Sequence, residues 1–517
     1  MPRKTKTIKN NKLQSFTLNI DDFFKQKSKS QSKSKSSTKK AKSKYESKLD
    51  LIIKSHTKST NEINVMNILN TFYSMNNPIN SSLIKYNDKE SKYLNKEAYN
   101  NFKISKPFSS DILNSYYESI NELYEIKKEI KGIKNKDIKN KDILIPVPVK
   151  YATEDFTRGL SKFISNRYNH LPAPTISNAF TKLWEVLETF PSIINKESKS
   201  FKVFHICEAP GQMILATKYF ASKKRPNIDM KDYDWRSNSL NPYNAENKAK
   251  YQGKTFSDDY KLIKNNPKKW LWGADNTGDI TKVKNIKWFR KYIKEQWLSS
   301  SKDGKIDFIC GDGGLSTNNE PFLLQKLDLA QAITVVACSS KGGSCCIKHF
   351  TPFIRSHKDT YNASGFFLGF LYLYYTAFEQ VSLFKPYSSN PDSGEFYVVG
   401  VNFLGISESQ IENLYKVLDG FKLNHAIIDK DQMPETFIIQ INNFIKNMSQ
   451  LNNNAIEKTN LLLTCYDNMP NKKGSKSSKV DSKLYEFMKC NKFLDDKNIE
   501  TILVPRYNEW IKKYNFE

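Results

Sequence analysis

One stretch constrains this chain more than any other: Phe204-His205-Ile206-Cys207-Glu208-Ala209-Pro210-Gly211-Gln212-Met213. An apolar run ends in an acid and a small-residue turn, and Ile214 to Phe220 then reads as a helix. In an α/β protein, strand, tight glycine turn and helix bring a nucleotide-like ligand to the carboxyl end of the first strand. Gly211 lets backbone approach a ligand where a Cβ would clash. Taken alone, the motif reads equally well as an ordinary strand-to-helix turn, having one glycine where a dinucleotide fold shows three.

Downstream segments narrow the choice. Asp307-Phe308-Ile309-Cys310-Gly311-Asp312-Gly313-Gly314 is a second apolar strand ending in an acid and glycines. Gly342-Gly343-Ser344-Cys345-Cys346-Ile347-Lys348 is a third, ending in a lysine. Ser393-Gly394-Glu395-Phe396-Tyr397-Val398-Val399-Gly400 opens with a Glu. Upstream, Phe180, Leu183, Trp184 and Leu187 share one helical face, and Lys182 falls off it.

Lys, strand-end Asp, strand-end Lys, then Glu is the order of the FtsJ-like ribose 2′-O-methyltransferases, and the chain resembles that family over roughly residues 150–405. Two further stretches, Asn238-Ser239-Leu240-Asn241-Pro242 and Asp275-Asn276-Thr277-Gly278-Asp279-Ile280, are similar to the adrift-type branch that methylates mRNA caps, nearest to the second-nucleotide enzyme. The resemblance implies an α/β, Rossmann-like methyltransferase sheet with helices on both faces. Strands are expected near 203–207, 307–311, 344–348 and 396–402, the last antiparallel. It implies S-adenosyl-L-methionine as cofactor, held by Glu208, Ala209, Pro210, Gly211, Tyr233, Asp279, Ile280 and Asp312, with Tyr233 at the end of the second strand. It implies Lys182, Asp312, Lys348 and Glu395 as catalytic residues: Lys348 the base, Lys182 and Asp312 orienting and polarising, Glu395 supporting the lysines. The capped 5′ end of mRNA is the implied partner.

The chemistry is an in-line displacement at a sulfonium methyl by a ribose hydroxyl. That hydroxyl is a weak acid and needs a nearby base or cation. A lysine titrates near ~10.4 and must be pushed down by burial and a second cation to act as a base. The family has a small residue after Pro-Gly where Gln212 stands here. Gln212 either folds outward, bonds the cofactor carboxylate or crowds the pocket. The same four residues serve enzymes of ribosomal or transfer RNA, and an inactive RNA-binding subunit would keep the fold. In the latter a broken tetrad is expected, whereas all four positions are filled here.

Length and charge agree with this reading. The 517 residues hold a catalytic domain plus additions, and the formal charge of +27 suits a polyanionic partner. Lysine far exceeds arginine, a bias that an AT-rich genome would give without any nucleic-acid role. The seven cysteines form no C-x-x-C pairs and suit a reducing, intracellular compartment, nucleus or cytoplasm. The six histidines lack metal-ligand spacing, so no metal is expected. No stretch approaches a membrane span, and the start lacks a hydrophobic signal region.

Four regions are expected. Residues 1–49 form a Lys/Ser-rich basic tail, too charged to fold, read as merely solvated, as a nonspecific RNA tether or as a nuclear-localisation signal. Inside it, residues 17–24 (Thr17 to Phe24) have an apolar-x-x-aromatic-aromatic spacing that reads either as a degenerate sliding-clamp peptide or as a short peptide ligand for another protein partner. Residues 50–149 read as a helical module with periodicities at 63–72 and 113–123, then a charged linker at 127–141 closed by Ile145-Pro146-Val147-Pro148. The methyltransferase domain spans 150–405. Residues 406–517 read as a helical appendage that either covers the sheet edge or binds RNA. Its amphipathic faces are Ile411, Leu414, Val417, Leu418 and Phe437, Ile441, Phe444, Ile445, and Asn471 to Ser482 is a basic loop.

Overall fold

The computed structural model describes residues 98–108, 147–250, 258–299, 304–314, 321–351, 357–391, 393–467 and 496–517. The tail with its 17–24 peptide, the periodicities at 63–72 and 113–123, the linker at 127–141 and the loop at 471–482 lie outside them.

Seven strands form one sheet: β1 (Phe201–Ile206), β2 (Tyr233–Asn238), β3 (Trp270–Leu271), β4 (Phe308–Gly311), β5 (Ser344–Phe350), β6 (Phe378–Phe384) and β7 (Glu395–Phe403). Their spatial order is β3-β2-β1-β4-β5-β7-β6. β1 pairs in parallel with β2 and β4, and β4 with β5. β7 runs antiparallel between β5 and β6. The strand order reverses between β1 and β4, where a doubly wound sheet opens its ligand crevice at the carboxyl ends. The four strands expected from sequence are all present, with β7 antiparallel as the resemblance implied.

Among the described residues, nine longer helices surround the sheet: α1 (Val147–Arg167), α2 (Asn178–Thr189), α3 (Gln212–Lys224), α4 (Val283–Tyr292), α5 (Pro321–Cys338), α6 (His357–Ala377), α7 (Glu408–Asp419), α8 (Glu435–Asp467) and α9 (Asp496–Lys513). Both faces of the sheet are covered, so β1, β4 and β5 read as near-continuous apolar runs, whereas β2 carries Asp234 and Arg236. On one face α1, α2, α3 and α9 pack on Phe201, Val203 and Phe308. On the other, α4 to α8 pack on Phe204, Ile206 and Ile309. Ser177 starts α2 as an N-cap, its hydroxyl accepting from the Ala179 N–H. A Ser407–Gln410 capping box starts α7.

Three expectations on organisation change. The boundary at 149–150 falls inside α1, because Val147 and Pro148 begin the helix instead of closing a linker; proline is tolerated in a first turn. The 406–517 segment is divided between the two layers: α7 and α8 complete one face, and α9 joins the other. A piece of the 50–149 region is also built into the body. Tyr99 and Phe102 are buried against it. The Lys103 and Ser105 N–H groups donate to the Ile427 and Ala426 carbonyls, and Asn413 Nδ2 donates to the Tyr99 and Phe102 carbonyls.

Candidate active site

The carboxyl ends of β1, β4 and β5 bring the charged residues together. Lys348 lies near the end of β5, and its Nζ is 2.8 Å from Asp312 Oδ1, just past β4. Glu395 opens β7 and pairs in register with Phe350, so the antiparallel strand starts where β5 ends. Lys182 arrives from α2 and sets its Nζ 2.6 Å from Glu395 Oε1. The side chains of Lys182, Lys348 and Glu395 keep only 13%, 11% and 10% of their exposure. The four residues expected to be catalytic are therefore brought together as two adjacent ion pairs.

The electrostatics are asymmetric. Burial alone would raise the Glu395 carboxyl, but the Lys182, Lys348 and Lys385 charges hold it down, to about 2. Burial alone would lower Lys348, but Asp312 and Glu395 outweigh it and raise this lysine above its ordinary value. The expectation that burial and a second cation depress Lys348 is thus reversed. Lys182 is turned to Glu395, and the groups facing Lys348 are carboxylates. At the end of β1, burial first and then the Asp279 carboxylate push the Cys207 thiol up to about 12, with Lys348 opposing and Glu208 and Asp312 adding to the rise.

The glycine turn is built as the motif requires. Gly211 caps α3 with φ of 110°, a conformation glycine alone adopts readily. Glu208 Oε1 accepts from the Met213 N–H at 2.5 Å, and Glu208 Oε2 is buried with no hydrogen-bond partner among the described residues. Burial first, then Asp312, raises the Glu208 carboxyl well above the usual range. Ala209 and Pro210 form the turn between them. Asp279 lies in a loop held against the end of β2. Asn238 Nδ2 donates to the Gly278 carbonyl, and a side chain at Gly278 would strike the Ser239 carbonyl. Asp279 Oδ1 accepts from the Thr281 N–H and hydroxyl, and Ile280 is buried beside it.

Tyr233 is not at this edge. It is the first residue of β2, in register with Phe201, and its hydroxyl is 2.9 Å from Thr217 Oγ1 in the core. The sequence reading placed the end of the second strand where it begins. Asn238 ends β2, and its Oδ1 is a buried acceptor with no partner among the described residues. Gln212 does not fold outward. It is buried, and its Oε1 accepts from the Ser177 N–H at 2.7 Å, tying the glycine turn to the cap of the Lys182 helix. Tyr397 was also missed. It pairs in register with Lys348, and its hydroxyl donates to Asp312 Oδ1 at 3.2 Å. Its signal was the alternation along β7, which puts residue 397 on the same face as 395.

A parallel sheet with one antiparallel strand inserted beside its edge, and an acid-and-lysine cluster at its carboxyl ends, defines a Rossmann-like methyltransferase domain. Residues 175–403 match the family described as FtsJ-like methyltransferase. The chain carries an FtsJ-like methyltransferase domain. The chain is also similar to three relatives, among others. An uncharacterized protein of Acanthamoeba polyphaga mimivirus is 31% identical over 60% of this chain and 37% of its own. The cap-specific mRNA (nucleoside-2′-O-)-methyltransferase 2 of Danio rerio is 25% identical over 66% of this chain and 44% of its own. A probable methyltransferase of African swine fever virus is 30% identical over 52% of this chain and 58% of its own. The matched regions thus span between 37% and 58% of these relatives' lengths.

Proposed function

We propose that this chain transfers a methyl group from S-adenosyl-L-methionine to a ribose 2′-hydroxyl near the 5′ cap of mRNA. The observation that carries the reading is the meeting of Lys182, Asp312, Lys348 and Glu395 from four separate elements in one crevice. The name of the Danio rerio relative supports the cap as target. The charge of +27 suits an RNA strand.

The residues fit the cofactor. Glu208 Oε2 and Asn238 Oδ1 are buried acceptors awaiting donors, and an ammonium and a ribose hydroxyl are such donors. Glu208, Ala209, Pro210, Gly211, Asn238, Asp279, Ile280 and Asp312 would hold it. When bound, it supplies an electrophilic methyl on a positively charged sulfur, a charge that disfavours a neighbouring ammonium. Asp312, steadied by Tyr397, fixes the Lys348 Nζ. Lys348, once it has given up its own proton, takes the proton of the ribose hydroxyl. Lys182, held by Glu395, places a positive charge where the oxygen becomes negative.

The test is methyl transfer to capped and uncapped short RNAs, with mass mapping of the modified ribose. Modification confined to a ribose adjoining the cap is expected. Transfer to uncapped RNA alone moves the assignment to ribosomal or transfer RNA, and no ribose methylation of any RNA ends it.

A further inference from the structure

One buried carboxylate has no part in the chemistry above. Glu185 is fully buried on α2, three residues beyond Lys182. Residues at that spacing lie on the same side of a helix. Its carboxylate accepts from the Tyr387 N–H at 2.6 Å, the Ser388 N–H at 2.7 Å and the Trp510 indole N–H at 2.7 Å. Burying a carboxylate is costly unless it is fully hydrogen-bonded. Packing of α2 does not require it, because Phe180, Leu183, Trp184 and Leu187 already fill that interface.

The three donors share a location. Tyr387 and Ser388 lie in the β6–β7 connection. The next residue, Ser389, donates to Glu395 Oε1 at 2.8 Å, the oxygen that Lys182 pairs with. Lys385, just before them, donates to the Glu395 carbonyl. Trp510 comes from α9, anchored independently on α1 and α2. The Trp184 indole donates to the Tyr514 carbonyl at 2.8 Å, Arg167 donates to Asn508, and Tyr507 packs into the notch left by Gly159. One side of α2 therefore grips the connection that delivers Glu395, and α9 grips the residue that does the gripping.

We propose that Glu185 is a positioning residue for the Lys182–Glu395 pair, and that the C-terminal helix α9 belongs to the catalytic unit, acting through Trp510. The proposal rests on the methyltransferase reading. Glu185 fixes the 387–389 segment against α2, and with it the separation of Lys182 from Glu395. Loss of that hold displaces the pair without removing a reacting group, and a displacement of ~1 Å costs about a hundredfold in rate.

Two variants of the full chain test this. Trp510→Phe removes one donor and keeps a ring. Glu185→Gln sets an amide N–H₂ against backbone N–H donors. Turnover is expected to fall about tenfold in Trp510→Phe and about a hundredfold in Glu185→Gln. The KM for RNA and the Kd for S-adenosylmethionine should stay within about twofold, a split that general loosening of the fold would not give. A second readout needs no turnover. Acetylation of Lys182 by acetic anhydride, followed by mass spectrometry against exposed Lys218 on α3, should speed up several-fold in both variants. If the parent methylates no RNA, the methyltransferase reading fails, and Lys182 labelling still decides this proposal. Unchanged Lys182 labelling in Trp510→Phe, or unchanged turnover in an active parent's variants, overturns it. Trp510→Phe decides alone if Glu185→Gln does not fold.

Discussion

Lys182 Nζ sits 2.6 Å from Glu395 Oε1, joining the helix before β1 to β7, which runs antiparallel to its neighbours on both sides. Beside it, Lys348 pairs with Asp312 at 2.8 Å. A nearly buried ion pair is weak evidence for stability, because desolvation offsets most of the attraction. Two such pairs in one crevice are better explained by chemistry that needs fixed charges. The antiparallel β7 makes the second pair reachable, since a parallel strand would carry Glu395 to the opposite edge.

Lys182→Ala should therefore separate chemistry from folding. The helix is held by Phe180, Leu183, Trp184 and Leu187, all buried and none touched by the change. Circular dichroism and cofactor affinity by calorimetry should match the parent. Single-turnover methyl transfer should drop about 10²- to 10³-fold. Activity within tenfold of the parent would make the Lys182–Glu395 pair purely structural.

Glu395 gives a pH signature. Its folded carboxyl is held down to about 2 by the lysines around it. An unfolded glutamate titrates near ~4.3. The group thus contributes stability that is present above the unfolded value and is lost as pH falls from there through the folded one. The urea midpoint of the parent should decline across that acid window. In Glu395→Gln, which cannot titrate, the decline should be shallower. Equal slopes in the two proteins would show that Glu395 is not held ionised by its lysines.

Much of this was readable in advance, for definite reasons. β1, β4 and β5 are buried on both faces, so each is an apolar run with a proposed site residue at or just beyond its carboxyl end, and α2 shows a clean amphipathic face with Lys182 off it. β2 carries Asp234 and Arg236 among its aromatics, which blurred its bounds and put Tyr233 at the wrong end. β3 is two residues long and has no pattern to read. Glu185, Gln212, Asn238 and Tyr397 take their roles from partners far away in sequence, which no local spacing encodes. The direction of the Lys348 shift was misjudged because the other lysine is neutralised by Glu395, a pairing visible only in three dimensions.

Gly211 should be irreplaceable, for two separable reasons. Its φ of 110° is strained for any other residue, by roughly 1–2 kcal/mol. A Cβ there would also collide with the Leu262 side chain. Gly211→Val should lower the thermal midpoint by several degrees and weaken S-adenosylmethionine binding at least tenfold. Adding Leu262→Ala to Gly211→Ala should recover only part of the loss, because it relieves the collision and leaves the backbone strain. Unchanged cofactor affinity in Gly211→Val, measured by titration calorimetry, would move the cofactor away from this turn.

On the proposed mechanism, Lys348 sets the pH dependence of the chemical step. Asp312 and Glu395 keep its proton on more firmly than in an ordinary lysine, so at neutral pH nearly all of it is ammonium before the cofactor binds. If the amine form does the work, its fraction rises about tenfold per pH unit below the pKa. Single-turnover methyl transfer at saturating cofactor should therefore climb from pH 6 towards pH 9. Asp312→Asn removes the closest carboxylate and should shift that climb to lower pH, while reducing the maximum because Lys348 loses its anchor. Lys348→Arg keeps the charge but cannot give up its proton near neutral pH, and should lose activity by several orders of magnitude with folding and cofactor binding intact. Near-normal turnover of Lys348→Arg, with a flat pH profile in the parent, would mean that residue 348 supplies only positive charge and that the ribose proton leaves by another route.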